Sequence, residues 1–226
     1  MVRATNLYVK VVIVEDHVMT GDVLSKLCTT EFACHLIAQV SKGVEATDII
    51  IRGKPELVLL DLMLPDISGF EVVEAVRRQG ANPRVLGISA RCDDFTVSRV
   101  ERQQFCGFVD KCTATLEELY TALGAVTRGG SYFSGRFQEI QSRLRTDPNA
   151  FDKILTEREQ SVLELIAGLL SDREIGERLG ISEQTSQKHR FNILHKLRLE
   201  SRTALLRYAE SHGLIPFTPS LWRRRR

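Results

Sequence analysis

The stretch LVLLDLMLPD, residues 57–66, carries a run of apolar residues directly into a carboxylate. The run Leu57–Leu60 is flanked by glycine and proline on both sides, which is typical of a short strand buried on both faces in a parallel sheet. Asp61 would then lie at the carboxyl edge of that sheet, where open α/β sheets bind ligands. Taken alone, the stretch supports two interpretations equally: Asp61 performs chemistry, or it only starts a turn.

Other apolar segments in the first half of the chain also end in polar or charged residues. They are Leu7–Val14 before Glu15 and Asp16, Val85–Ile88 before Ser89, and Gly107–Val109 before Asp110 and Lys111. Segments with helical spacing alternate with them: Val18–Leu27, Val44–Ile51, Phe70–Val76, Phe95–Val100 and Leu116–Val126. With a strand at His35–Val40, about five β-then-α units result. This order predicts a five-stranded, parallel, doubly wound sheet of the flavodoxin-like kind.

The strand ends bring together acidic side chains that would repel one another. Glu15, Asp16 and Asp61 are costly to ionise together unless a cation lies among them. A hard divalent ion with oxygen ligands meets that need, and Mg²⁺ combines one or two carboxylates with phosphate oxygens. We therefore expect a Mg²⁺ and phosphate site in which Asp61 is the nucleophile, forming an aspartyl-phosphate. Lys111 would neutralise phosphate charge, and Ser89 would donate a hydrogen bond to a phosphate oxygen.

These residues resemble the receiver domain of two-component response regulators. The match runs from Met1 to about Tyr132 and rests on the acidic pair, on DLMLPDISG around Asp61, on Ser89 and on GFVDK at Lys111. The resemblance implies that a sensor histidine kinase supplies the phosphoryl group. It also implies that Ser89 and Phe108 are switch residues and that the backbone carbonyl of Met63 is a Mg²⁺ ligand.

Charge and composition separate the two halves of the 226-residue chain. Residues 1–133 carry 14 Lys or Arg and 17 Asp or Glu, a net −3, whereas residues 134–226 carry 17 and 12, a net +5. The second half is therefore the better candidate for binding a polyanion. With no signal segment and no long apolar stretch in the sequence, we expect a cytoplasmic protein without a membrane partner. The five cysteines have no metal-ligand spacing and are expected to be reduced thiols.

The second half of the chain contains sequence signals for the starts of four helices. Thr156 with Glu159 and Ser171 with Glu174 form two capping boxes, and Ser182 and Ser201 precede two further helices. The helices around the turn at Gly180 predict a helix-turn-helix, whose second helix enters the DNA major groove.

We expect that helix to present Gln184, Gln187, Lys188, Phe191 and His195 to DNA, whereas Ser186, His189, Ile193 and Leu197 lie on its other side. Base edges or phosphates would contact Gln187 and Lys188, and backbone phosphates would contact Arg190, Lys196 and Arg198. Phe191 has two candidate roles: contact with a thymine methyl, or packing against a neighbouring domain.

Residues 155–209 resemble the LuxR-type DNA-binding domain, so the chain, except for its linker and tail, resembles NarL/FixJ-type regulators. The resemblance implies a homodimer on promoter DNA, with Leu205, Leu206 and Tyr208 of the last helix on the dimer face. Gly176 stands where the family usually has Ala, which should cost roughly 1 kcal/mol in a helix. RNA polymerase is a further candidate partner, and no enzyme activity is expected beyond the receiver's own phosphoryl transfer.

The predicted organisation is a receiver domain at 1–133, a linker at 134–152, a DNA-binding domain at 153–215 and a basic tail at 216–226. The linker is expected to start with a short helix at Arg136–Leu144. The four arginines of the tail either add affinity for phosphates or only keep the chain in solution. We predict a phosphorylation-controlled transcription regulator. The alternatives are a regulator that binds DNA without phosphorylation and a metal-dependent phosphatase with Asp61 as nucleophile.

Overall fold

The structure is a computed structural model, and it describes residues 8–214. The predicted strand residue Leu7 and the arginine tail therefore lie outside the described residues. Within the described range the chain forms two compact units, one of residues 8–92 and 99–138 and the other of residues 93–98 and 139–214. No helix among these residues is both long enough and apolar enough to cross a membrane.

The first unit contains a parallel sheet, as predicted. Its strands are β1 (Lys10–Val14), β2 (His35–Val40), β3 (Leu57–Asp61), β4 (Arg84–Ser89), β5 (Gly107–Asp110) and β6 (Tyr132–Phe133). They lie in the order β2-β1-β3-β4-β5-β6, and every neighbouring pair is parallel. The predicted fold class is confirmed, but the described sheet has six strands instead of five. The prediction missed β6 because its two residues are too few for a periodic pattern.

Helices connect the strands of this sheet. They are α1 (Val18–Lys26), α2 (Gly43–Gly53), α3 (Gly69–Arg78), α4 (Asp94–Arg102) and α5 (Leu116–Thr127). A short π-helix, Leu27–Glu31, follows α1 directly. After β6 comes α6 (Gly135–Thr146), at the place of the helix predicted in the linker. Each of the five predicted helical segments thus coincides with a helix, and no end differs by more than two residues.

Central strands β1 and β3 form the middle of the core. All five residues of β3 are buried, including Asp61, and so are the last four residues of β1. Burying a Leu or Val side chain stabilises a fold by about 1.5–3 kcal/mol, so these two strands anchor the sheet. A shift in the pairing of these two strands would move their buried apolar residues out of the core, so their register is fixed. The residues that end the strands are therefore held at the carboxyl edge of the sheet.

The second unit contains the predicted helix-turn-helix. Its helices are α7 (Phe151–Ile154), α8 (Glu157–Ala167), α9 (Asp172–Leu179), α10 (Glu183–Lys196) and α11 (Arg202–Ser211). Both predicted capping boxes are present at Thr156 and Ser171, and Ser182 and Ser201 accept hydrogen bonds at the starts of their helices. Gly180 ends α9 with a φ of 65°, a left-handed conformation that glycine adopts without strain.

Gly176 in α9 lies against the turn of the helix-turn-helix. A Cβ atom at this position would be 2.7 Å from the backbone oxygen of Ile181 and 3.3 Å from the backbone nitrogen of Glu183. The sequence-based expectation that alanine would be the better residue is therefore wrong for this chain. Helix propensity favours alanine, but the close approach of α9 to the turn leaves no room for its methyl group.

We predict that Gly176→Ala destabilises the chain by about 1–3 kcal/mol, the usual effect of forcing extra atoms into a packed site. Urea unfolding of the full chain measures the change. Gly135→Ala is the matched control, because a Cβ atom there meets no heavy atom within 4 Å. That substitution should be neutral or stabilising by up to about 1 kcal/mol. A Gly176→Ala variant as stable as the wild type would contradict the steric argument.

Candidate functional site

The carboxyl edge of the sheet brings the predicted reactive side chains together. Asp61 is the last residue of β3, and it pairs with Ile88, which precedes Ser89 on β4. Ser89 in turn pairs with Asp110 of β5, and the backbone N–H of Lys111 donates to its carbonyl oxygen at 2.8 Å. On the other side of β3, Val14 pairs with Leu60, so Glu15 follows the end of β1 at the same level.

Lys111 connects two of the acidic side chains directly. Its Nζ donates to Asp61 Oδ2 at 2.7 Å and to Glu15 Oε2 and Oε1 at 2.6 and 2.9 Å. The Asp61 and Glu15 side chains are only 3% and 1% exposed. Two buried carboxylates would be strongly unfavourable alone, and one shared ammonium group offsets most of that cost.

The electrostatics of this cluster follow from burial and charge together. Burial raises the pKa of Glu15 above its ordinary value, and the charge of Asp61 adds to this effect, although the hydrogen bond from Lys111 works against it. For Lys111, burial acts to lower the pKa, but the charges of Asp61 and Glu15 outweigh it and raise the pKa above its ordinary value. Lys111 is therefore a permanent cation beside Asp61.

The loop after β3 holds Asp61 in place. The backbone N–H of Met63 donates to Asp61 Oδ1 at 2.8 Å, and that of Gly69 donates to the carbonyl oxygen of Leu62 at 3.2 Å. A Cβ atom on Gly69 would be 2.5 Å from the backbone oxygen of Asp61. Only glycine therefore lets the start of α3 approach the backbone of Asp61 so closely.

Asp66 has a structural role that the sequence interpretation did not assign. Its carboxylate accepts hydrogen bonds from the backbone N–H groups of Gly43 and Val44, at 2.8 and 3.0 Å, at the start of α2. Burial acts to raise its pKa, but these backbone hydrogen bonds lower it below the ordinary value. The residue thus fixes the loop that follows Asp61. No local signal shows this, because its partners are more than twenty positions earlier in the chain.

The two predicted switch residues lie inside the first unit. Ser89 is 1% exposed, and its hydroxyl accepts a hydrogen bond from the backbone N–H of Arg91 at 3.1 Å. Phe108 on β5 is fully buried, and its ring lies 5.1 Å from that of Phe137 in α6. Phe137 belongs to the segment predicted as linker, and nothing in its local sequence pattern indicated this contact.

A metal ion could bind among the acidic side chains. One potential ligand atom from each of Glu15, Asp16, His17 and Asp61 lies within 4.8 Å of the others. Three of these four are carboxylates, and hard divalent ions such as Mg²⁺ prefer oxygen ligands. His17 forms a hydrogen bond with Asp16 Oδ1 through its Nδ1 at 3.0 Å. The donor set therefore fits the predicted cation, with Met63 adjoining it in the loop after Asp61.

In the second unit, helix α10 has one buried and one exposed face. Ser186 and Ile193 are buried, and His189 and Leu197 are partly buried beside them. The predicted DNA-facing residues are all exposed: Gln184, Gln187, Lys188, Phe191 and His195. Phe191 is the most notable of them, since 68% of it is exposed. An exposed aromatic residue beside polar side chains suits contact with a thymine methyl group.

Two of the predicted phosphate-binding cations already have carboxylate partners. Arg190 donates to Asp172 from Nε and Nη2, with its shortest distance 2.9 Å, and Lys196 donates to Glu159 Oε2 at 2.7 Å. The carboxylates lie on α9 and α8, so these pairs tie α10 to both neighbouring helices. Arg198 is exposed just beyond α10, with a φ of 55°. The phosphate contacts of all three residues stay predictions.

Helix α11 differs from the expectation at one position. Leu205 was expected on a dimer face, but it is fully buried within the second unit and cannot contact another copy. Tyr208 stacks on His212, with ring centroids 4.0 Å apart. Leu206 and Tyr208 are both partly exposed, so these two expected dimer residues retain accessible surface. The prediction failed at Leu205 because spacing alone does not say which apolar stripe of a helix faces the core.

Each of the two units contains a segment that matches the model of a known protein family. The model of the response regulator receiver domain matches residues 11–124, half of the chain, and the model of bacterial regulatory proteins of the luxR family matches residues 153–209. The chain belongs to the response regulators, with a receiver domain followed by a LuxR-type DNA-binding domain.

Two curated relatives match almost the whole chain. The transcriptional regulatory protein MctR of Rhizobium johnstonii is 29% identical over 92% of this chain and 95% of its own length. The response regulator VraR of Staphylococcus aureus is also 29% identical, over 92% of this chain and 99% of its own length. Among solved structures, RcsB of Salmonella enterica serovar Typhimurium, bound to the promoter rprA with the phosphomimetic BeF₃⁻, aligns with a TM-score of 0.68. That alignment covers 90% of this chain and 99% of the other at 19% identity, so it supports the fold alone.

The Glu159–Lys196 pair generates a prediction about pH. Burial acts to raise the pKa of Glu159, but hydrogen bonds from Lys196 and Thr156 hold it below its ordinary value. The ionised carboxylate therefore contributes stability above its ordinary pKa of 4.5, and the contribution is lost as pH falls through the lower pKa of the folded state. Glu159→Gln keeps the shape of the side chain and should lower the free energy of unfolding by roughly 1–3 kcal/mol at neutral pH.

The measurement is urea unfolding of the full chain at neutral pH and below 4.5, with hydrogen exchange of peptides from α8–α10 reporting on the second unit. The difference between wild type and Glu159→Gln should shrink at the lower pH. Glu177→Gln is the control, because its pair with Arg173 is exposed and should contribute about 0.2–1 kcal/mol. A difference that stays constant with pH would contradict the role assigned to the charge.

Proposed function

We propose that this response regulator is phosphorylated on Asp61 by a sensor histidine kinase and that phosphorylation controls its binding to promoter DNA. The observation that carries the proposal is the position of Lys111, held by hydrogen bonds against both Asp61 and Glu15 at the end of β5. In this proposal the receiver domain spans residues 1–133 and the linker spans 134–152. The DNA-binding domain spans 153–215, followed by the tail at 216–226.

The chemistry is transfer of a phosphoryl group from a phosphorylated histidine of the kinase to a carboxylate oxygen of Asp61. The bond between phosphorus and the histidine nitrogen breaks, a bond between phosphorus and the Asp61 oxygen forms, and a proton from solvent returns to the leaving imidazole. Most of the acceleration comes from positioning and charge, which this site supplies in advance. Lys111 would neutralise the charge of the phosphoryl oxygens, and Ser89 would donate a hydrogen bond to one of them.

Glu15, Asp16, Asp61 and the backbone carbonyl of Met63 are the proposed ligands of Mg²⁺. When bound, the ion neutralises the phosphoryl oxygens and the acidic residues together. The support for this set is the convergence of carboxylates within 4.8 Å. We propose no enzyme activity beyond this transfer, since the second half of the chain is a DNA-binding domain.

Phosphorylation would change the partners of Lys111. In the present arrangement Lys111 binds two carboxylates, and a phosphoryl group on Asp61 would offer it oxygens with more charge. The readout is a population shift toward the arrangement in which Lys111 and Ser89 both bind the phosphoryl group, with Phe108 responding.

The proposed DNA contacts lie on the exposed face of α10. Gln184, Gln187, Lys188 and Phe191 would face the major groove, whereas Arg190, Lys196 and Arg198 would approach phosphates. Arg190 and Lys196 already form ion pairs with carboxylates. Each would therefore contact a DNA phosphate while it also binds its carboxylate partner. RcsB, whose fold this chain shares, has been solved on promoter DNA with a phosphomimetic.

We also propose that the chain binds DNA as a homodimer and acts in the cytoplasm, where a bacterial promoter is accessible. RNA polymerase is a proposed further partner. The alternative of a phosphorylation-independent DNA binder is disfavoured by the preserved contacts of Asp61 with Lys111 and Met63. A phosphatase is disfavoured because the loop after Asp61, LMLP, offers no second acid for hydrolysis.

Asp61→Asn should abolish phosphorylation and leave the fold intact, because an amide oxygen is a far weaker nucleophile and the two side chains have nearly the same shape. Intact mass after incubation with Mg²⁺ and acetyl phosphate measures the adduct. The wild type should gain one phosphoryl group and the variant none. A stoichiometric adduct on Asp61→Asn would exclude Asp61 as the acceptor.

Lys188→Ala should weaken DNA binding by roughly 5- to 150-fold, because a side-chain contact to DNA of this kind contributes about 1–3 kcal/mol. The probes are duplexes selected from a randomised pool by the wild-type protein, and affinity is measured by fluorescence anisotropy at several salt concentrations. Lys26→Ala is the control, because Lys26 is an exposed lysine on α1 of the first unit. Phosphorylation of both variants should equal that of the wild type. Equal affinity of the two variants would remove Lys188 from the interface.

A further inference from the structure

Three phenylalanines form a contiguous aromatic cluster where the receiver fold ends. Phe108 lies on β5, Phe133 on β6 and Phe137 in the first turn of α6. The rings of Phe108 and Phe137 are 5.1 Å apart, and those of Phe133 and Phe137 stack at 4.8 Å. Phe108 and Phe137 are both 0% exposed. Such ring pairs add stability beyond the area that they bury.

The backbone ties this cluster to β5. Phe108 pairs with Phe133 across the two strands, and the backbone N–H of Ser134 donates to the carbonyl oxygen of Phe108 at 3.0 Å. The side chain of Gln138 then donates to the carbonyl oxygen of Phe133 at 2.6 Å. Ser134, directly before α6, is therefore bonded to β5 through the main chain, and the first turns of α6 are bonded through a side chain to β6, the neighbour of β5.

A second contact joins α6 to β5 close to the phosphorylation site. Asp110 is fully buried, and its Oδ1 accepts a hydrogen bond from the backbone N–H of Cys112 at 3.0 Å. Its Oδ2 accepts no hydrogen bond from any residue between 8 and 214, and Arg136 Nη1 of α6 lies 4.0 Å away. A buried carboxylate with one oxygen so weakly paired is costly, so this junction is not optimised in the present arrangement.

Phe108 has little room to move while Phe137 is in place. On the neighbouring strand its partner is Gly87, and a Cβ atom there would lie 3.1 Å from Phe105 and 3.4 Å from Phe108. Aromatic carbons thus already fill the space beside Gly87, and Phe137 packs on the Phe108 ring from α6. Because packed interiors change between discrete arrangements rather than deforming continuously, a new position of Phe108 requires a new position of Phe137.

We infer that Phe137 is a positioning residue through which helix α6 follows the phosphorylation state of Asp61. This inference rests on the proposed function, because it takes phosphorylation of Asp61 as its input. The phosphoryl group changes the partners of Lys111 at the end of β5. Phe108 and Asp110, three and one positions earlier, transmit that change to Phe137 and Arg136. The later part of the same helix, from Glu139, belongs to the second unit, so the change continues along the covalent chain toward the DNA-binding domain.

The test is hydrogen exchange with mass spectrometry on the full chain, with and without Mg²⁺ and acetyl phosphate. In the wild type, phosphorylation should change the exchange rates of α6 amides. In Phe137→Leu, intact mass should show the same phosphoryl adduct, but the change in α6 exchange on phosphorylation should fall by roughly 2- to 30-fold, the range found for residues that couple distant sites. A residue with only a packing role would alter exchange equally in both states and leave the change on phosphorylation intact.

Phe32→Leu is the matched control, because Phe32 also contacts an aromatic ring, that of Tyr120 at 4.8 Å, in a different part of the first unit. It should retain the wild-type response of α6. If Phe137→Leu does not fold, Phe137→Met replaces it, because the unbranched Met side chain adapts to irregular space in a core. A normal α6 response in the phosphorylated Phe137 variant would overturn this inference alone, whereas a wild type without any adduct would overturn the proposed function.

Discussion

The ammonium group of Lys111, shared between the buried carboxylates of Asp61 and Glu15, is the interaction on which the rest of the receiver depends. It joins the carboxyl ends of β1, β3 and β5 at distances of 2.6–2.9 Å. Without it, two carboxylates would be buried side by side with no compensating charge, which is strongly destabilising. The same arrangement keeps Asp61 adjacent to a cation, so the stability of the sheet edge and the proposed phosphoryl transfer depend on the same contact.

Charge pairing organises the second unit in a similar way, but with a different consequence. Arg190 and Lys196 of α10 bind carboxylates on α9 and α8, which fixes the recognition helix on its scaffold. Lys188 points away from these partners and is exposed together with Gln184, Gln187 and Phe191. One helix therefore uses some of its cations to hold its own position and leaves another exposed. The positions of Lys188, Arg190 and Lys196 in the sequence do not show which of these cations form ion pairs and which stay exposed.

Much of the fold was predictable because its signals are local. The apolar run at Leu57–Leu60 indicates a buried strand, and the capping boxes at Thr156 and Ser171 mark helix starts within four residues. The features that were missed depend on contacts between distant segments. Asp66 caps a helix that begins 23 positions earlier, Leu205 faces the core instead of a partner, and the two residues of β6 form a strand only because β5 is beside them.

Local sequence patterns specify the order of strands and helices along the chain, the acids and the lysine that end the strands, and the polar face of the recognition helix. These follow from periodicity and residue type, which act over a few neighbouring positions. Tertiary structure alone decided which charges pair and which stay exposed. It also decided that Gly176 must lack a side chain and that Phe137 packs on Phe108. The physical reason is that such choices depend on the distance between atoms of separate segments, which becomes defined only when the chain has folded.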